Sequence, residues 1–535
     1  MKKDYSIGLD FGTLSVRALV VNVQSGDIVG ESVFEYPHGV MTESLPDGTR
    51  LPPRFALAHP QDYLDALYTV IPDVLGKACI SGDEICGIGL DTTSPTAIPL
   101  DESRTPLAFT PDFASHPHAY IKLWKHHGSA GHWAKLLDSA KGASEWIEYY
   151  GGSVNCEFII PKALETQDCD RLVWDSCSVF CEVGDWLCHE LTKTPFGSSM
   201  MASCNALYFH GKYPSDSLFS EIAPNKKPVT EKLIIPTLSI GTSAGVLCPD
   251  AAARLGLPAG IPVAPCMIDS HASVIGCGAA EVGDLVAVLG TSACYMLNGK
   301  TEAPVQGSCC VAWEANVPGC FGYESGQTCF GDGLNWVINT CAAQEHYKEA
   351  ERRKIGLHEL FQDKCAGFTP GGSGLLVLDW WNGVRSPLKR PELSAVIAGL
   401  SLQTRPEDIY HAAMESLCFG AKRIVDSYLK AGQQVRKVYA AGGIAKKSPV
   451  LMQMLADVLK LEIFICESSQ TGALGSAISG AAASGKGNLL SLMEVMSAKV
   501  CASFKPNADN SAEYGKLYKR YLQLSRVFED TDLLL

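Results

Sequence analysis

Ile7-Gly8-Leu9-Asp10-Phe11-Gly12-Thr13 reads as a short apolar strand that ends on a carboxylate and a glycine turn, and Val16 to Val23 reads as the strand that follows. The same pattern recurs far along the chain. Leu285-Val286-Ala287-Val288-Leu289 stops at Gly290-Thr291-Ser292, which again leads into an apolar segment. The echo suggests a duplicated strand-turn-strand unit, one copy per lobe. Other apolar strands end on chemistry-bearing residues: Ile85 to Leu90 on Asp91-Thr92-Thr93, Met267-Ile268 on Asp269, and Val438 to Ala441 on Gly442-Gly443. Longer helical patterns lie between them, so the class is α/β. Thr404-Arg405-Pro406-Glu407 has capping-box spacing and predicts a helix running to Gly432, with another from Ser448 to Leu459. The small-residue stretch from Gly475 to Gly487 reads as a tightly packed helix and loop rather than a linker. The pattern resets at Ile261-Pro262-Val263-Ala264-Pro265, which places a domain boundary there and predicts domains at 1–264 and 265–535.

The chain has 535 residues, enough for more than one full core. With 46% hydrophobic and 19% charged residues it is neither disordered nor fibrous. A net charge of −14 and the lack of a Lys/Arg-rich run argue against a nucleic-acid or anionic-membrane surface. The 21 cysteines contain no Cys-x-x-Cys pair and mostly sit in apolar runs. They read as free thiols in a reducing compartment. No window approaches the roughly 18 apolar residues of a membrane span, so the expected location is the cytoplasm.

Several of these strand ends suit phosphate chemistry. Asp10 can hold Mg²⁺ through water, while the turn amides at Gly12 and the Thr13 hydroxyl meet phosphate oxygens. An ordinary hairpin whose Asp bonds its own turn is the alternative. Gly290 and Thr291 offer the same turn chemistry, and Gly442 and Gly443 offer a third close backbone approach. No Walker loop occurs, and no Gly-x-Gly-x-x-Gly follows a strand and opens a helix. Asp269 either accepts a proton from a substrate hydroxyl attacking phosphorus or caps the next helix. His116, His118, His126, His127 and His132 match no standard ligand spacing and read as surface or structural residues.

With these residues in view, the chain resembles the FGGY carbohydrate kinases of the actin/hexokinase/Hsp70-like ATPase superfamily. The resemblance is carried in order by residues 7–13, Pro161-Lys162, Gly184-Asp185-Trp186-Leu187, Asp269-Ser270-His271-Ala272, Leu289-Gly290-Thr291-Ser292 and Ala441-Gly442-Gly443. Tyr36-Pro37-His38-Gly39-Val40, the segment from His118 to His127, Glu324-Ser325-Gly326-Gln327 and the segment from Leu378 to Ser386 are similar to the ribulokinase branch.

The resemblance implies two ribonuclease H-like lobes with a ligand cleft between them. It implies ATP and Mg²⁺ as cofactors and phosphorylation of a ketopentose, foremost L-ribulose at O5, as in arabinose catabolism. Other ketoses or polyols (D-ribulose, xylulose, ribitol) and a non-catalytic ATPase switch are the alternatives. Asp269 is then the base, Asp10 the metal-side carboxylate, and Gly12, Thr13, Gly290, Thr291, Gly442 and Gly443 the nucleotide contacts. Thr96, Asp269 and Glu324 face the sugar. Two positions depart from the branch: Asn205 stands where it carries a sugar-contacting Lys, and Ser448 where it carries an Asn near the adenine. Oligomeric state, a homodimer included, is left open.

Overall fold

The computed structural model describes residues 3–140, 145–222, 226–236 and 238–529, which form two compact units. The first comprises residues 1–280, 310–322 and 470–498, and the second 281–309, 323–469 and 499–535.

The sheet of the first unit runs Ile28–Glu35, Ser15–Asn22, Tyr5–Phe11, Ile85–Thr92, Pro262–Val263, Gly245–Val246. Its first three strands are antiparallel, and Tyr5–Phe11 lies parallel to Ile85–Thr92. The second unit repeats that order as Phe321–Gln327, Ala293–Gly299, Asp284–Leu289, Lys437–Ala441, continued by Ile463–Cys466 and Val500–Phe504. Here too the opening hairpin is antiparallel and its first strand lies parallel to the next, Asp284–Leu289 beside Lys437–Ala441. The strand-turn-strand echo in the sequence is therefore a repeat of topology.

The glycines of the first sheet explain how it is covered. Gly87 and Gly89 share one face of their strand by two-residue alternation, and Gly8 pairs with Gly89 across the sheet. On this patch sits the helix Thr471–Ala483, itself Gly- and Ala-rich. A Cβ on Gly8, Gly87 or Gly89 would lie 1.9, 2.0 and 1.9 Å from backbone oxygens of that helix. The helix Asp269–Gly276 approaches its other side as closely: a Cβ on Gly475 would lie 1.9 Å from the Ala272 carbonyl oxygen. Absent side chains let main chain pack on main chain, as the small-residue reading of 475–487 anticipates.

This packing moves the expected boundary. The compact units part between Ala280 and Glu281 rather than after Ala264, and 470–498 returns to the first unit. The physical reason is that Met267–Ile268 still pairs with Ile85–Thr92, and Asp269–Gly276 packs on Thr471–Ala483.

One helix start also differs. The cap of Pro406–Lys430 is Arg405, whose amide donates to Asp408 Oδ2 at 2.8 Å, rather than Thr404 with Glu407. Proline takes the first helical position, where a missing N–H costs nothing, and so sets the cap one residue later. The histidines are structural, as expected. His116, His127 and His132 pair with Asp170, Glu157 and Asp168, while buried His126 and Lys122 share Glu165. His118 Nδ1 lies 2.9 Å from Lys122 Nζ. All 21 cysteines are free thiols.

Candidate functional site

Three carboxylates converge on neighbouring strand ends of the first unit. The parallel register sets Asp10 directly opposite Asp91. Met267 pairs with Asp91 and Ile268 with Thr92, so Asp269, next in the chain, opens its helix at the same edge. Asp10 lies 3.5 Å from the Arg17 guanidinium. Burial raises its pKa, against the lowering influence of Arg17. Asp91 is fully buried, and its pKa is pushed well up, by burial first and then by the charges of Asp10 and Asp269. Its Oδ2 accepts from Ser476 at 2.7 Å, while its buried Oδ1 has no hydrogen-bond partner. A Cβ on Gly472 would stand 3.5 Å from both Asp10 Oδ2 and Asp91 Oδ2, so the helix covers the pair without filling it. Two close carboxylates with an unused buried oxygen suit a hard divalent cation, which would offset their repulsion. The pairing of Asp91 with Asp10 escapes a reading of the sequence, because the two are distant in the chain and brought together only through register.

The Gly12 turn is closed by its amide donating to Ser15 O at 2.9 Å, and the Thr13 hydroxyl accepts from Trp124 Nε1 at 3.0 Å. Asp269 Oδ1 accepts the Ser270 amide at 2.6 Å, which fixes its carboxylate at the helix start.

Thr96 and Asn205 meet at one turn. The Thr96 amide donates to Glu182 Oε2 at 2.8 Å, and Ser94 Oγ donates to Glu182 Oε1 at 2.7 Å. Asn205, the last residue of the helix Ser199–Asn205, donates from Nδ2 to Ser94 Oγ at 2.8 Å. The same turn is held from below by buried Lys162, which donates to Pro95 O at 2.7 Å and Leu123 O at 2.9 Å. Burial raises the pKa of Glu182 and lowers that of Lys162. Asn205 therefore braces the 94–96 turn, a contact that sequence spacing does not disclose.

The other expected residues belong to the second unit. The Gly290 amide donates to Ser292 O at 2.9 Å, a turn one residue tighter than that at Gly12. The start of the helix Gly331–Cys341 supports this loop, since the Gly331 and Phe330 amides donate to Gly290 O and Thr291 O at 3.0 and 2.8 Å. Just past the adjacent strand Lys437–Ala441, Gly442 has φ +94°, and a Cβ there would lie 2.5 Å from Leu289 O. A Cβ on Gly290 would meet only Ser292 O at 3.6 Å, and one on Gly443 would meet nothing within 4 Å. Gly442 is thus required by the fold, whereas Gly290 and Gly443 leave bare backbone facing open space. Ser448 is buried between the helices Gly443–Lys447 and Pro449–Leu459. Glu324 lies on Phe321–Gln327, where its carbonyl accepts the Cys309 amide at 2.7 Å. The residues expected around the sugar are thus divided: Thr96, Asn205 and Asp269 in the first unit, Glu324 in the second.

The chain is similar to known proteins. Residues 285–484 match the family described as the FGGY family of carbohydrate kinases, C-terminal domain. The chain is 38% identical to the ribulokinase of Geobacillus thermodenitrificans over 542 residues, covering 99% of this chain and 95% of that protein. It is 39% identical to the ribulokinase of Anoxybacillus flavithermus, with the same coverage of each. Among solved structures it is similar in fold to the xylulose kinase from Rhodospirillum rubrum, with a TM-score of 0.82 at 20% identity, covering 98% of this chain and 100% of that one. Plasmodium falciparum glycerol kinase with ADP gives a TM-score of 0.76 at 16% identity and 98% coverage of both chains.

Proposed function

Because the chain belongs to the FGGY family of carbohydrate kinases and is a sugar kinase using ATP, we propose that it phosphorylates O5 of L-ribulose. The observation that carries this reading is the full-length similarity to proteins named ribulokinase, at 38–39% identity. Asp269 accepts the proton of the sugar hydroxyl as that oxygen attacks the γ-phosphorus of ATP. Gly12, Thr13, Gly290, Thr291, Gly442 and Gly443 contact the nucleotide, with Ser448 near its base. Thr96, Asn205 and Glu324 contact the sugar, and Glu182 with Lys162 keeps the 94–96 turn in place. Asp10, with Asp91 opposite it in the register, would hold Mg²⁺. When bound, Mg²⁺ neutralises charge on the transferring phosphoryl oxygens. The rest of the catalysis is positioning and amide hydrogen bonding. Free thiols throughout support placement in the reducing cytoplasm. Among the described residues, no helix is long and apolar enough to cross a membrane.

Release of ADP from ATP, measured against a panel of ketoses and polyols, tests the reading. L-ribulose should give the highest kcat/KM, with product phosphorylated at O5 by ³¹P NMR. ATP turnover indifferent to every sugar would overturn the kinase reading.

The loop roles have a clean probe in the two glycines that the fold leaves free. Gly290→Val and Gly443→Val should raise KM for ATP by roughly tenfold or more, the cost of losing one charge-assisted amide contact, while KM for sugar stays near wild type. Calorimetry should find melting temperatures little changed. An equal rise in both KM values would remove the loops from the nucleotide site.

A second substrate reading, another ketose or a polyol, draws support from the Asn205 amide being spent on Ser94. A lysine there would supply a charge-assisted hydrogen bond to a sugar hydroxyl, worth about 1.5–3 kcal/mol. Asn205→Lys should therefore raise kcat/KM for L-ribulose relative to other sugars by roughly tenfold or more. An identical rank order in wild type and variant would take Asn205 out of the sugar site.

A further inference from the structure

Cys204, His271 and Cys310 are buried together in the first unit, each offering one ligand atom, and these atoms all lie within 4.8 Å of one another. They come from three segments: the helix Ser199–Asn205, the first turn of Asp269–Gly276, and the start of the strand Cys310–Trp313. Here two buried thiols share the neighbourhood of an imidazole.

The histidine is already oriented. Its Nδ1 lies 3.0 Å from the Ala315 carbonyl oxygen and 2.7 Å from Asn316 Oδ1. Both are acceptors, so Nδ1 carries the hydrogen and the neutral ring keeps its lone pair on Nε2. A ring N–H given to a backbone carbonyl is the usual support of a metal-ligating histidine.

We propose that Cys204, His271 and Cys310 form a binding site for a thiophilic divalent cation of the Zn²⁺ class, held by two thiolates and the imidazole Nε2. Water completes the fourth position. Binding releases the two thiol protons to solvent and involves no change of oxidation state. The two thiolates cancel the ion's charge, so a neutral unit is buried. Soft sulfur ligands exclude Mg²⁺ here. Bonds of about 2.3 Å in a tetrahedron require sulfurs about 3.8 Å apart, so a contraction of about 1 Å or less completes the site. Two of the three segments are those that carry Asn205 and Asp269, so an ion would tie them directly to each other.

The test uses the full chain, reduced with a phosphine and freed of metal, then dialysed against Zn²⁺. The expected result is one tightly held zinc per chain. X-ray absorption at the zinc edge of the wild-type protein should show two sulfur and at least one nitrogen neighbours. Added zinc should raise the melting temperature and a chelator should reverse the rise. Cys204→Ala and Cys310→Ala should each lose the bound ion. The wild-type spectrum decides the matter even if a variant fails to fold. Absence of retained zinc overturns the proposal. So does a shell of nitrogen and oxygen alone, which would put the ion at His38, His59 and Asp62 or on the surface. A Cys204–Cys310 disulfide in unreduced protein, with no zinc uptake after reduction, would also overturn it and make the pair a redox couple.

Discussion

Asp269→Asn should lower kcat by roughly 10²–10⁴-fold, the usual contribution of a positioned general base, with KM for ATP little changed. That loss corresponds to about 3–5.5 kcal/mol of transition-state stabilisation. The substitution keeps the shape and leaves Oδ1 able to accept the Ser270 amide at 2.6 Å, so the side chain stays oriented. What disappears is the capacity to take the hydroxyl proton. A small stability cost also follows, because a carboxylate in the first turn of Asp269–Gly276 favours the helix dipole by about 0.3–1 kcal/mol. That cost is partly offset, since the Asp269 charge also pushes the buried Asp91 carboxyl upward. Melting temperature should therefore change little while turnover collapses. A steady-state ADP assay with and without sugar, beside calorimetry on the same preparations, separates the two. Near-native turnover would reject the base assignment and leave Asp269 as a helix-start residue.

The contrast between Asp269 and Asp91 shows which parts of the site a sequence discloses. Asp10, Gly12, Asp269, Gly290 and Gly442 are each announced locally, by an apolar strand that stops at a carboxylate or a glycine. Local chemistry and local geometry coincide at these points. Asp91 ends a strand in the same way, but its meaning lies in the register that sets it beside Asp10 and in Ser476 from a helix near the other end of the chain. The same non-locality hid the true extent of the first unit. Pro262 and Pro265 mark an interruption in the hydrophobic pattern, yet Met267–Ile268 continues the sheet beyond it. Asn205 is a subtler case. Its position points to a sugar contact, and only coordinates show that its amide also donates to Ser94 Oγ.

Gly89→Ala should destabilise the first unit by about 3 kcal/mol or more, at the upper end of overpacking costs, although it adds only one methyl group. That methyl would lie 1.9 Å from the Ser476 carbonyl oxygen and 2.8 Å from its carbon. The opposing atoms are helix backbone, so no rotamer change can relieve the clash. The helix Thr471–Ala483 must move off the sheet, and the contacts of Gly8 and Gly87 with it must open as well. Ser476 also donates to Asp91, so the displacement reaches the carboxylate cluster. Loss of stability should therefore come with loss of kcat. Gly76→Ala is the matched control. It sits in the helix Pro60–Ala78, a Cβ there meets nothing within 4 Å, and alanine should stabilise by about 0.5–1 kcal/mol through helix propensity. Differential scanning calorimetry of both variants should move the transition in opposite directions, down for Gly89→Ala and up for Gly76→Ala. If Gly89→Ala melts at or above wild type, the helix does not rest on bare backbone, and the account of how the first sheet is covered fails with it.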